Sequence, residues 1–176
     1  EVVKAAGRVQ NAEDRPPNRD LYLSHINGLP VGDSRAQGVV RGSRFYHADL
    51  GITLAFPTGW IVDNQRTKVV SYTEAKDAVM VVSAEAPPPG MAPKEFLGRM
   101  LQSVSTTEAE PLRVNNLDGY RAVVRSTTLP WGNQGPANVA VVYYNNLAYI
   151  FQGFTRQAAG LSSFEPVFLS SVKTFR

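Results

Sequence analysis

The stretch Ala137–Thr155, ANVAVVYYNNLAYIFQGFT, decides how this chain folds. It holds two runs rich in Val, Ile, Phe and Tyr, Ala137–Tyr144 and Ala148–Thr155, with Asn145-Asn146 between them. Asn tolerates positive φ better than other non-glycine residues, so the pair reads as a hairpin turn and the runs as antiparallel strands. Upstream, Gly119–Thr128 alternates, with Tyr120, Ala122 and Val124 expected inward and Arg121, Val123 and Arg125 outward. Farther back, Ile52, Leu54 and Phe56 share one face against Thr53 and Ala55, and Pro57-Thr58-Gly59 turns the chain so that Trp60 starts the next strand. Lys68–Tyr72 and Ala78–Ala84 follow. The second of these is nearly all apolar, as a strand buried on both faces would be.

Helical spacing appears twice. Pro93 suits a first turn, where its missing N–H costs nothing, and Phe96, Leu97, Met100, Leu101 and Val104 form a stripe behind it. A helix over 93–104 is predicted. At the C-terminus Phe164, Phe168, Val172 and Phe175 lie on one helical face. Ser162 with Glu165 resembles a capping box, but Ser163 as the cap would place Pro166 inside the first turn and spare a backbone hydrogen bond. Hairpin strands and two one-sided helices, at 93–104 and 164–174, imply an α+β fold in which an antiparallel sheet is covered by helices.

Of the 176 residues 43% are hydrophobic, enough for one buried core. Val2, Val3, Ala5, Ala6 and Val9 read as a helix end, Asn11–Asp20 as a linker with two prolines, and Tyr22 to Gly38 as a packed loop. The expected organisation is therefore 1–43 as helix end, linker and loop, and 44–176 as the compact domain. Eighteen basic and fifteen acidic residues leave a net charge of +3, without a basic stripe that would follow a nucleic acid. No stretch reaches the ~20 apolar residues of a membrane span. A chain beginning at Glu1 without Met is expected to be a soluble piece of something longer.

The side chains that carry chemistry are few. Cysteine is absent, and the two histidines, His25 and His47, stand in no H-E-x-x-H or similar spacing, so neither a metal nor another cofactor is expected in this chain. Gly32-Asp33-Ser34 is shared with trypsin-like proteases and with one esterase family, but Arg35-Ala36 continues neither pattern and no strand–elbow–helix surrounds Ser34. Turn chemistry accounts for it. No catalytic residue is assigned. Arg113, Arg121, Arg125 and Arg156 are read as a solvated sheet face, and Trp60 as core. Trp131, inside Pro130-Trp131-Gly132-Asn133-Gln134-Gly135-Pro136, is a large aromatic on a connection between strands. It is the candidate partner contact.

Tyr22-Leu23-Ser24-His25-Ile26-Asn27-Gly28-Leu29, Gly32-Asp33, Gly38-Val39-Val40-Arg41-Gly42 and Phe45-Tyr46-His47-Ala48-Asp49-Leu50-Gly51-Ile52 together resemble the region after the catalytic domain in bacterial envelope metallopeptidases of the H-E-x-x-H class. Asn27 stands where that pattern has Asp, and Ala48 where it has Pro. The zinc ligands themselves lie on no residue here, so no catalytic position carries over. From Ile52 onward the order of elements, with the Phe56-Pro57-Thr58-Gly59-Trp60 turn, is similar to the PsbP-like fold. The resemblance implies a non-catalytic C-terminal accessory, regulatory or substrate-contacting domain of a periplasmic or envelope zinc protease. Its partners would be the preceding protease domain and protein substrates, and zinc would sit in the parent's catalytic domain. Two alternatives are a stand-alone PsbP-like protein- or ligand-binding module and a serine hydrolase using Ser34 with a histidine.

Overall fold

The computed structural model describes residues 37–176, so the expected N-terminal helix end and linker, with His25 and Ser34, lie outside the described residues. In chain order the strands are β1 (Val39–Arg41), β2 (Arg44–His47), β3 (Ile52–Ala55), β4 (Ile61–Asn64), β5 (Lys68–Tyr72), β6 (Ala78–Glu85), β7 (Thr106–Val114), β8 (Leu117–Thr128), β9 (Gln134–Tyr144) and β10 (Leu147–Thr155). Helix α1 (Pro93–Met100) precedes β7, and α2 (Leu161–Lys173) closes the chain after a short 3₁₀ turn.

Asn145 and Asn146 take φ of 48° and 61°, and Tyr144 pairs with Leu147 across them. Both central residues of a tight two-residue hairpin turn need this left-handed conformation. Asn115-Asn116 repeats the device between β7 and β8, with φ of 47° and 68°. From the central hairpin the large sheet grows in both directions to the order β4-β5-β6-β10-β9-β8-β7, every pairing antiparallel. A second sheet, β1-β2-β3, is also antiparallel, and its pairing reaches back to Val39.

Alternation along each strand sends side chains to two separate cores. On one face Val69, Met80, Ala140, Val142, Tyr149 and Phe151 meet α2 and the small sheet. On the other, Val70, Val79, Val81, Val139, Val141 and Ile150 meet α1 and the β8–β9 connection. The sandwich is the α+β arrangement that the sequence implies, and β6, third of seven strands, is buried on both faces as its apolar run requires.

The first core is closed by close approach. A Cβ on Gly153 would sit 2.6 Å from Phe168 and 2.8 Å from Phe164, so glycine is what lets α2 lie directly on β10. Trp60 is half-buried and stacks on Phe164 with ring centroids 5.6 Å apart, while Phe175 tilts over Tyr149 at 4.7 Å. Beyond α2, Arg176 exchanges two backbone hydrogen bonds with Thr53, and the Ala55 N–H donates to Thr174 Oγ1, so the C-terminus straps the small sheet to the helix.

Four details depart from the sequence reading. Helix α1 stops at Met100 instead of 104. Leu101 and Val104 still pack on the core, but through a turn closed by Val104 N–H to Leu101 O, because Ser103, Val104 and Ser105 are weak helix formers. Helix α2 begins at Leu161 without a side-chain cap, which puts Ser162 and Ser163 inside it and Pro166 in its interior. Burial of Leu161 extends the helix ahead of the proline, and Ser162, whose carbonyl loses its partner at Pro166, is exposed to water. Strands β1, β2 and β7 are additional. Finally, Arg121 and Val123 face α2 and not solvent.

Candidate functional site

On the α1 side of the large sheet lies a cleft of about 680 Å³. Register fixes its floor: Lys68 pairs with Ser83, Gln152 lies between Val81 and Val139, and Ala137 lies between Phe154 and Val124. These pairs run diagonally across five strands, β5, β6, β10, β9 and β8. One wall is Met100 at the end of α1 with Leu101 and Val104 after it, and the other is the segment from Thr127 to Pro130. The cleft exists because α1 has only eight residues, about 12 Å of helix, above a seven-stranded sheet.

The second wall is rigid for identifiable reasons. Register shifts between Val124 and Thr127, a bulge that turns β8 out of the sheet. Leu129 then accepts from Gly132 N–H and donates its own N–H to Asn133 O, closing a tight loop. Gly135 lies beneath this loop, and a Cβ there would stand 2.6 Å from Leu129 Cδ1.

Trp131 crowns that loop. It is half-buried against the second core, and its indole Nε1 donates 2.9 Å to the carbonyl of Lys76 in the β5–β6 turn, a residue with φ of 55°. The ring therefore has a fixed position beside the cleft and keeps part of its surface in solvent.

Most of the cleft lining is apolar, but Lys68, Ser83, Thr127, Thr128 and Gln152 bring polar groups. Gln152 occupies an inward position between Ile150 and Phe154, where the alternation of β10 otherwise places core residues. Tyr143, on the same face beyond the cleft, meets Phe96 edge-on at 6.1 Å; burial, and then the charge of Glu95, push its phenol above the ordinary value.

A smaller hollow of about 330 Å³ lies on the opposite face, between the small sheet and the β4–β5 turn. His47 lines it, but its Nδ1 accepts from Leu50 N–H at 3.3 Å, so the ring stabilises its own turn. Asn64 donates to the carbonyls of Gln37 and Gly38 and so holds the start of β1. Tyr149 is buried with its hydroxyl unpartnered among the described residues. Desolvation, with a smaller effect of Tyr144, raises its pKa. Among the described residues no group of three or more His, Asp or Glu is placed to hold a metal ion.

The four arginines separate. Arg113 makes an exposed pair with Asp118 at 3.5 Å, and Arg125 and Arg156 are exposed. Arg121 is bound under α2 by Glu165 and, at 2.7 Å, by Glu110 of β7, with 15% of its side chain exposed. Burial works against its charge, and hydrogen bonds to Glu165 and Glu110 outweigh it, so the guanidinium is held above its usual pKa. It is a structural clamp between α2 and the sheet. His25 and Ser34 lie outside the described residues. The cleft residues Gln152, Ser83 and Lys68 were not singled out from the sequence; the one signal available was a glutamine at an inward strand position.

No protein-family model matches the chain, and no curated protein sequence matches it. Among solved structures, the chain is similar to the solution structure of cyanobacterial PsbP (CyanoP) from Synechocystis, with a TM-score of 0.54 at 14% identity, over 84% of this chain and 99% of that one. A protein from Bacteroides thetaiotaomicron matches at a TM-score of 0.49 and 10% identity, over 78% of this chain and 48% of that one. A protein of unknown function from Pseudomonas aeruginosa matches at 0.47 and 11%, over 65% and 94%. The first of these likenesses shows the fold: antiparallel strands and two helices in a PsbP-like α+β sandwich. It shows no activity.

Proposed function

We propose that this domain is a non-catalytic binding module, and that it serves as the accessory domain of an envelope zinc-dependent protease. The observation that carries the binding role is the wall of the α1 face, where Trp131 is held by Lys76 O with part of its ring in solvent beside a preformed cleft. Rigid strands and a bulge position it, as recognition surfaces require. The protease context rests on the Gly38–Gly42 and Phe45–Ile52 patterns, which form β1, β2 and the turn into β3. In that context the preceding catalytic domain or its protein substrates would meet the Trp131 side, in the periplasm or cell envelope.

Residues 1–176 are expected to hold no stoichiometric zinc after dialysis and to leave casein uncleaved. The deciding experiment is association: a catalytic domain encoded upstream of Glu1 and carrying H-E-x-x-H should bind the domain, and Trp131→Ala should weaken it by ~1–3 kcal/mol, as loss of an aromatic anchor does. Zinc-dependent turnover by residues 1–176 alone would overturn the reading. A second reading, a stand-alone PsbP-like module, is favoured by the end-to-end match to 99% of CyanoP. An upstream reading frame without H-E-x-x-H would select it.

A further inference from the structure

We infer that the hollow between the small sheet and the β4–β5 turn is a binding site for a small neutral molecule with a hydroxyl at each end of a short hydrocarbon. This goes beyond the accessory-domain reading, which concerns protein contacts at Trp131 on the other face, and does not rest on it. No residue of α2 lines the hollow, so it lies outside the interlocked packing beneath that helix.

Two lining residues each hold a buried polar atom without a hydrogen-bond partner among the described residues: Asn64 Oδ1 and the Tyr149 hydroxyl. Asn64 is 7% exposed and Tyr149 1%, so bulk water satisfies neither atom, and a sealed polar atom without a partner is costly. Their chemistry specifies what they lack. The Asn64 amide nitrogen donates to the carbonyls of Gln37 at 2.9 Å and Gly38 at 3.1 Å, which leaves its oxygen as an acceptor that only a donor can meet. Burial raises the pKa of Tyr149, so its phenol stays protonated and can both donate and accept. A hydroxyl suits each atom. A carboxylate cannot donate to Asn64, and an ammonium finds no acidic side chain among the described residues of the lining.

Register puts the two residues on opposite sides of the hollow. Asn64 pairs with Val69, Val69 with Val82, and Tyr149 with Ala84, two residues along β6 from Val82. With β5 and β6 between them, β4 and β10 are about 14 Å apart, and strand side chains stand roughly perpendicular to the sheet. Between the two polar residues lie Val69 and Val82, both buried, and Phe45 and Ile52 of the small sheet share the lining. A molecule with polar ends and a hydrocarbon middle matches this arrangement. The volume of about 330 Å³ stands at the lower end of the roughly 300–1,000 Å³ of small-molecule sites. Leu50 and Leu147, half-buried on the lining, are the side chains that would shift to admit the ligand.

The test is a titration of residues 1–176 followed by backbone amide NMR shifts, with hexane-1,6-diol, 1-hexanol and adipate as probes of equal carbon count. The diol should shift Leu50 and Leu147 to saturation and leave Ala137 and Gln152 of the α1-face cleft in place. It should bind roughly threefold or more tighter than 1-hexanol, the effect of one added hydrogen bond. Apolar uptake alone gives the reverse order, because 1-hexanol is the more hydrophobic. Adipate, which cannot donate, should bind more weakly than the diol. Tyr149→Phe removes no hydrogen bond between described residues; it should bring the diol down to the affinity of 1-hexanol and leave 1-hexanol unchanged. If that variant does not fold by circular dichroism, Leu147→Trp takes its place and, by filling the hollow, should abolish diol binding. 1-Hexanol or adipate binding as tightly as the diol, diol affinity indifferent to the substitution, or shifts centred on the α1-face cleft would overturn the site. Ordered water alone at the two atoms gives the diol no advantage over 1-hexanol and so falls among these outcomes. None of these results bears on protease association, which is read with a different partner and a different substitution.

Discussion

The two faces of the seven-stranded sheet are built from the same strands, yet one is filled and the other keeps a cleft. On the α2 face Phe151, Phe164, Phe168 and Phe175 interlock, Gly153 removes the side chain that would hold the helix away, and the C-terminal residues pair with β3. On the α1 face an eight-residue helix and one loop cover part of the same sheet, and about 680 Å³ lies between them. Packing of the first kind produces stability. The second kind yields less stability per strand and leaves a shaped surface, so in the proposed reading cohesion and recognition are divided between the two faces.

If this division is right, substitutions on the two faces should differ in what they damage. The largest loss is expected at Phe168, 1% exposed at the centre of the α2 contact, where Phe168→Ala should cost ~3–5 kcal/mol in denaturant unfolding. A cost below about 1 kcal/mol would mean that α2 does not hold the sandwich together. Next comes the clamp beneath the same helix. Arg121→Met strands Glu165 and Glu110 without a cation and should cost about 2 kcal/mol, less than for a fully buried pair because water reaches both partners. Adding Glu165→Gln to that chain should recover part of the loss, and a double-mutant cycle measures how much.

The α1 face should respond more weakly. Trp131→Ala removes one indole hydrogen bond and half-buried area, and a stability loss of ~1–2 kcal/mol is expected from the two together. A loss of 3 kcal/mol or more would make the ring a lid over the core and move it out of the recognition surface. The smallest effect belongs to Gln152→Leu. An apolar side chain on the cleft floor should leave the unfolding midpoint within ~0.5 kcal/mol of the parent, or raise it.

Much of the fold was legible because its signals are local. Asn145-Asn146, the Phe164–Phe168–Val172 stripe and the apolar run of β6 each predict an element from a few adjacent residues. Strand β7 was not legible: Thr106–Val114 is an edge strand, mostly exposed, with Pro111 and a bulge at Glu108 (φ 52°), and so it lacks the alternation of a half-buried strand. The assignment of Arg121 to solvent failed for a different reason. Alternation tells which residues share a face, but a sheet covered on both sides has no solvent face, and only the position of α2 shows that Arg121 lies beneath it.

The candidate site was less legible than the fold. Trp131 could be picked out because a bulky aromatic among Gly and Pro is locally anomalous. The cleft beside it arises from the mismatch between where α1 stops and how far the sheet extends, which no single segment records. Lys68, Ser83 and Gln152 lie on three strands and become neighbours only through register.

The chain has two tryptophans, and they lie on opposite faces: Trp60 stacked on Phe164 under α2, and Trp131 beside the cleft. Fluorine NMR of the 5-fluorotryptophan-labelled domain therefore reports each face separately. With a catalytic domain of the kind proposed above as the titrant, the Trp131 resonance is expected to shift or broaden to saturation while Trp60 stays in place. Movement of Trp60 with Trp131 unchanged would contradict the division of labour between the faces.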